Sequence, residues 1–246
     1  MITFQDPKER IIIPIDTSNL DSAIEIVRLL KPHVGMFKFG LELLNTMLVG
    51  VVSGDGTMAE KVKVLFKEVE GQLFWDGKWS DIPNTVSKAA MATAILKPKM
   101  VDVHVSGGAP AIAEVVKASP ESIVLGVTVL TSITDEESLE IFGKKAEEKV
   151  VDFAKMAIGA GAKGVVCSPK ELSLLTEMKD LIKVTPGVRP EWAAVNDQKR
   201  VMTPAEAVAA GADYLVIGRP ITEYPAEQGG PVEGARKVAE EIGGNK

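Results

Sequence analysis

The sequence is short of thiols, imidazoles and long apolar runs. It has one cysteine, Cys167, and two histidines, His33 and His104. A lone cysteine excludes an internal disulfide framework and fits a reducing cytoplasm. With so few soft ligands, a zinc site is not expected. There is no basic excess either: the net charge of −6 argues against a general binder of nucleic acid or anionic membrane, while leaving room for a local phosphate pocket. No apolar stretch approaches the ~20 residues of a membrane span, and the polar residues 1–10 lack the apolar core of a signal peptide. Neither a dinucleotide-binding fingerprint nor a P-loop is present. The expectation is a soluble cytoplasmic protein. With 246 residues, 46% hydrophobic and 25% charged, the chain can bury about 70–75% of its unfolded surface without staples. No linker or low-complexity tract divides it, so residues 1–246 read as one domain.

What is present is a series of short apolar runs spaced by amphipathic stretches. Strands are predicted at residues 11–15, 36–39, 73–75, 100–103, 123–127, 164–166, 183–184 and 214–217. They are rich in β-branched residues and do not alternate with polar ones, as parallel strands covered on both faces should be. Helical patterns at 20–30, 58–69, 85–96 and 146–158 lie between them. Eight strand–helix alternations predict a (β/α)₈ TIM barrel, with a doubly wound sheet as the alternative. A segment at 48–58, containing Gly50, Gly54 and Gly56, lengthens the second unit and has no assigned role.

Nearly every predicted strand runs into a polar residue: Asp16, Lys38, Asp76 with Lys78, His104 with Ser106, Thr128 with Thr131, Cys167 with Ser168, Thr185 with Arg189, and Gly218 with Arg219. In such barrels the C-terminal rim of the strands carries the active site. Polar residues also simply end strands, but here lysines, carboxylates and arginines converge on one rim.

The sharpest local feature is Asp76-Gly77-Lys78-Trp79-Ser80-Asp81, followed by Ile82-Pro83-Asn84-Thr85. At strand spacing Asp76 and Lys78 share a face, beside Lys38 and Asp16. Opposite charges alternating in a partly desolvated site hold one another ionised and in place. Asp81, just before a proline-containing helix start, is expected to be an N-cap. The bland alternative is a solvated rim ion pair with an ordinary cap. A second constellation, Thr185-Pro186-Gly187-Val188-Arg189-Pro190 and Ile217-Gly218-Arg219-Pro220, follows strands seven and eight, where many barrels bind phosphate. Gly187 and Gly218 permit close backbone approach, and Arg219 offers bidentate contacts. The polar loop 191–202, with Asp197-Gln198-Lys199-Arg200, is long enough to close over a ligand. His104 reads as structural, Ser106-Gly107-Gly108 as a helix entry or anion nest, and Cys167 as a buried inert thiol.

At these residues the sequence resembles the orotidine 5′-phosphate decarboxylases. The resemblance rests on Asp76-x-Lys78-x-x-Asp81-Ile82-Pro83-Asn84-Thr85-Val86. It extends to Asp16, Phe37-Lys38-Phe39-Gly40, Val103-His104, Leu130-Thr131-Ser132, Val166-Cys167-Ser168-Pro169, Asp197-Gln198-Lys199-Arg200 and the two phosphate-like loops. It implies a cofactor-free, metal-free carboxy-lyase that converts orotidine 5′-monophosphate (OMP) to UMP and CO₂, the last step of UMP synthesis. Lys38, Asp76, Lys78 and Asp81 form the implied charged network, with Lys78 protonating C6 and Asp76 lying against the substrate carboxylate. Asp16 and Lys38 are implied to hold the ribose, Thr131 the base, and Arg189, Gln198, Gly218 and Arg219 the phosphate end. A homodimer with shared sites is implied too, the partner lending Asp81 and Thr85. Two positions depart from the family pattern: Gly77 replaces a larger apolar residue, and Ser80 a histidine.

Two rivals remain open. One is a Mg²⁺-dependent sugar-phosphate decarboxylase or aldolase of the same superfamily, in which an acidic residue stands where Lys38 does here. The other is a non-catalytic barrel that binds UMP-like nucleotides.

Overall fold

A computed structural model describes residues 3–54, 56–193 and 202–244. Eight parallel strands, β1 (Ile11–Pro14), β2 (Met36–Phe39), β3 (Leu73–Trp79), β4 (Met100–His104), β5 (Ile123–Val127), β6 (Gly164–Val166), β7 (Ile182–Pro186) and β8 (Tyr214–Val216), close in sequence order into a barrel. Closure is made by β8 on β1, pairing Ile11 with Leu215 and Ile12 with Val216. The architecture is the predicted (β/α)₈ barrel.

The strands lack polar alternation because both of their faces are buried, in two separate cores. Ile12, Met36, Phe74, Met100, Leu125, Ile182, Val184 and Tyr214 fill the barrel interior. Ile11, Ile13, Phe37, Phe39, Val101, Val103, Val165 and Leu215 belong to the larger cluster shared with the helices. Side chains in a strand alternate with period two, so each inward residue fixes which later residues face the barrel mouth. Two positions beyond Met36, Phe74 and Met100 stand Lys38, Asp76 and Asp102. The floor of the barrel is closed by Phe4, whose ring meets Tyr214 edge-on at 5.1 Å and lies under the Arg10 guanidinium at 4.1 Å.

The outer layer is less regular than eight equal helices. It comprises α1 (Leu20–Leu30), α2 (Leu41–Val52), α3 (Gly56–Glu68), α4 (Pro83–Ala94), α5 (Ala109–Ala118), α6 (Asp135–Phe142), α7 (Ala146–Gly159), α8 (Pro204–Ala209), α9 (Arg219–Thr222) and α10 (Gly230–Gly243). The amphipathic patterns at 20–30, 58–69, 85–96 and 146–158 correspond to α1, α3, α4 and α7. The sixth connection departs from strand–helix alternation: a 3₁₀ segment, Pro169–Leu175, replaces an α-helix. It is fixed by a capping box in which the Ser168 backbone N–H donates to the Glu171 carboxylate at 2.7 Å. The long second unit is two helices, α2 and α3. Gly50 lies where they meet, and a Cβ there would press on the Met58 side chain, 2.8 Å from Cε and 3.3 Å from Cβ. Among the described residues no helix is long and apolar enough to cross a membrane.

Candidate functional site

Three strands deliver the charged side chains to the C-terminal rim. Lys38 leaves β2 and reaches Asp76 Oδ2 of β3 with its Nζ at 2.7 Å; Asp16 Oδ1, just past β1, lies 3.7 Å from the same nitrogen. Lys78 Nζ is bonded to the other oxygen of Asp76, Oδ1. A single carboxylate thus bridges two ammonium groups. Its side chain is 8% exposed, whereas that of Asp16 is 62% exposed. Burial pulls the Lys38 ammonium below its ordinary pKa, opposed by Asp16 and Asp102. Burial and the Lys78 charge likewise lower His104, which ends β4 at the same mouth.

The geometry around Lys78 differs from a plain strand. Trp75 pairs with Val101, but Trp79 pairs with Val103, so β3 bulges between them. Lys78 adopts φ 49°, a left-handed conformation that is uncommon for a residue with a side chain. Asp76 and Lys78 do both serve the mouth, but a bulge aims Lys78 rather than simple alternation. Asp102 of β4 anchors this conformation, accepting from the Lys78 backbone N–H at 2.9 Å and from Lys78 Nζ at 3.0 Å. Sequence reasoning missed Asp102. The signal was its place two residues past Met100, in phase with Lys38 and Asp76. Gly40, at the end of the Phe37-Lys38-Phe39-Gly40 stretch, stands against the same cluster: a Cβ there would lie 3.0 Å from Lys38 Nζ and 3.6 Å from Asp76 Oδ2.

The bulge also explains Gly77. Trp75 and Trp79 close over this glycine, and a Cβ would meet Trp75 Nε1 at 2.7 Å and Trp79 Nε1 at 3.1 Å. Trp75 in turn stacks on Phe66 of α3, with centroids 6.4 Å apart. Gly77 thus leaves room for the two indoles that pack beside it.

Asp16, Gly218 and Arg219 line one cavity of about 550 Å³. Gly218 precedes α9 and Arg219 opens it. Arg189 is partly buried, and its backbone N–H donates to Met202 O at 3.1 Å, closing the base of the loop between them. Gln198, with the rest of residues 194–201, lies outside the described residues. Thr131 is exposed in the turn after β5. Asp81 is not the N-cap: Ile82 holds that position, because Pro83 takes the first helical turn. The Asp81 carboxylate instead accepts from the Ile82 N–H at 2.7 Å. Asp81 and Thr85 are both exposed, and Asp81 does not join the Lys38–Asp76–Lys78 cluster of its own chain. Cys167 is buried, and burial pushes its thiol up to about 12, so it is inert.

Residues 9–238 match the model of the Orotidine 5′-phosphate decarboxylase / HUMPS family. The chain belongs to this family. Among family members similar to it are proteins named orotidine 5′-phosphate decarboxylase from Geobacter sp. strain M21 and Heliobacterium modesticaldum. The first is 41% identical, covering 98% of this chain and 99% of its own length. The second is 39% identical, covering 96% and 97%. The crystal structure of orotidine 5′-phosphate decarboxylase from Lactobacillus acidophilus superposes with a TM-score of 0.74 at 30% identity, over 95% of this chain and 99% of that one. At the rim described above, acidic groups are interleaved with ammonium groups. Among the described residues no three His, Cys, Asp or Glu side chains are grouped to hold a metal ion.

Replacing Gly77 with alanine should lower unfolding stability by about 1–3 kcal/mol, the usual cost of overpacking. Combining it with Trp75→Leu should recover part of that loss. An unchanged denaturation midpoint for the single variant would contradict the packing account.

Proposed function

We propose that this protein is a single-domain carboxy-lyase that converts OMP to UMP and CO₂, acting without metal or cofactor. The observation that carries the reading is Asp76 held between Lys38 and Lys78 at the barrel mouth. The family membership and the 41% identity to a relative named orotidine 5′-phosphate decarboxylase support OMP as the substrate.

In this reading the nucleotide phosphate binds at Gly218, Arg219, Arg189 and Gln198, Asp16 and Lys38 hold the ribose, and Thr131 faces the base. The C6 carboxylate is brought against Asp76. The C6–CO₂ bond breaks with its electron pair left on C6, and a proton on Lys78 Nζ passes to that carbon as CO₂ departs. Two fixed ammonium groups beside the developing carbanion stabilise it without reorganisation, the usual source of large catalytic effects. Repulsion between Asp76 and the substrate carboxylate acts in the same direction. Phosphate binding far from the reacting carbon contributes by fixing the ligand and closing loops.

The site is completed by a second copy of the chain. Asp81 and Thr85 are exposed, and the Asp81 carboxylate is bonded to the Ile82 N–H rather than to its own Lys78. The same stretch of chain carries exposed apolar side chains: Ile82 (64% exposed) just before α4, Met91 (63%) on it and Ile95 (83%) just past its end. A homodimer that covers this surface brings Asp81 and Thr85 to the partner's mouth. Cytoplasmic location is inferred from the single buried thiol.

The direct test is the ultraviolet change of OMP mixed with purified protein in excess EDTA. Conversion to UMP supports the reading, with Lys78→Ala losing about 10²–10⁴-fold in kcat while still binding UMP. Loss of turnover in EDTA that Mg²⁺ restores, with sugar phosphates as better substrates, favours the metal-dependent rival. Nucleotide binding with no turnover under either condition favours a non-catalytic barrel.

A second prediction concerns the shared site. Mixing inactive Asp81→Ala and Lys78→Ala subunits should regenerate activity, because one site of each hybrid keeps both residues. No recovery despite subunit exchange proved by mass spectrometry would refute the shared arrangement.

A further inference from the structure

Asp102 carries a role beyond the four charged residues of the proposed mechanism. Its side chain is 0% exposed, in a cluster where Lys38 and Lys78 are 15% and 26% exposed. A carboxylate so buried is costly unless both oxygens are bonded to donors. Both are, and to one residue: Oδ1 accepts from the Lys78 backbone N–H at 2.9 Å and Oδ2 from Lys78 Nζ at 3.0 Å. The backbone bond sits at the φ 49° residue of the β3 bulge, a left-handed conformation that is unfavourable for a residue with a side chain unless something holds it. The side-chain bond gives Lys78 an anion of its own. Asp76 is shared with Lys38, and without Asp102 two ammonium groups would divide one buried carboxylate. The other charged or titratable groups around this cluster are Asp16, next to Lys38, and His104, two residues along β4 and close enough for Lys78 to act on it.

We infer that Asp102 is a positioning residue, which pins Lys78 in its left-handed bulge and holds its ammonium head toward the reacting carbon. The inference rests on the proposed decarboxylation for its kinetic consequences, but the restraint on Lys78 is independent of it. Burial pushes the Asp102 carboxyl above its ordinary range, against the opposing pull of Lys78. The partnership is therefore sensitive to charge as well as to shape.

Two variants separate these effects. Asp102→Asn keeps an acceptor for the backbone N–H and removes the charge, whereas Asp102→Ala removes both. For Asp102→Ala we expect kcat to fall by about 10²-fold or more with KM within about threefold, the signature of lost transition-state stabilisation. For Asp102→Asn we expect partial rescue, with the alkaline limb of the kcat profile moved to lower pH. Wild-type kcat in Asp102→Ala, or a profile for Asp102→Asn that superimposes on the wild type, would overturn the inference. A readout without turnover is the rate of reductive methylation at Lys78, measured by peptide mass spectrometry on the unliganded protein. It should rise in both variants relative to exposed lysines such as Lys117, and unchanged labelling would overturn the restraint. A wild type that restrains Lys78 but makes no UMP would defeat the proposed reaction and leave the Asp102–Lys78 partnership standing.

Discussion

One buried carboxylate, Asp76, is bound by two ammonium groups at once, and the layout of the barrel mouth depends on keeping that arrangement. Two cations this close repel each other unless anions are interposed, and a low-dielectric pocket strengthens both the repulsion and the remedy. The protein interposes Asp76 between Lys38 and Lys78, sets Asp16 on the solvent side of Lys38, and places Asp102 beneath Lys78. Such a cluster contributes little to stability by itself, since desolvation offsets much of the attraction. What it provides is preorganisation: positive charge already fixed where negative charge is to develop.

The strands make that placement possible. With Met36, Phe74 and Met100 locked in the inner core, period-two alternation sends Lys38, Asp76 and Asp102 to the mouth. Lys78 would follow the same phase, but the bulge between Trp75 and Trp79 inserts extra chain and turns it by a left-handed step. The two tryptophans that flank the bulge occupy the space beside Gly77, so the outer packing and the inner chemistry of β3 are linked.

Much of this was legible in the sequence because strand runs, their order and the polar residues that end them are local signals. β2, β5 and β6 and helix α1 agree with their predicted limits, and Lys38 and Asp76 meet as their strand phase required, with Lys78 joining them through the bulge. The rest depended on features that carry no local signal. Asp102 was hidden inside an apolar run, where a buried carboxylate reads as an interruption rather than a site. The bulge is set by tertiary packing of Trp75 and Trp79. Asp81 preceded a helix, which suggested capping, yet proline at the next position but one moved the cap to Ile82. The extra length after β2 gave no hint of a helix pair, since its glycines look like turn residues whether they bend the chain or, like Gly50, let two helices touch.

In this mechanism the fixed ammonium groups favour negative charge at C6 over the neutral nucleotide. The most direct measurement is the affinity of a UMP analogue bearing an oxyanion at C6, compared with UMP, by calorimetry on wild type and Lys78→Ala. An enzyme complementary to its transition state should bind the charged analogue at least about 10²-fold more tightly than UMP, and lose most of that difference with Lys78. Equal affinities for the two nucleotides, or a preference indifferent to Lys78, would contradict the account.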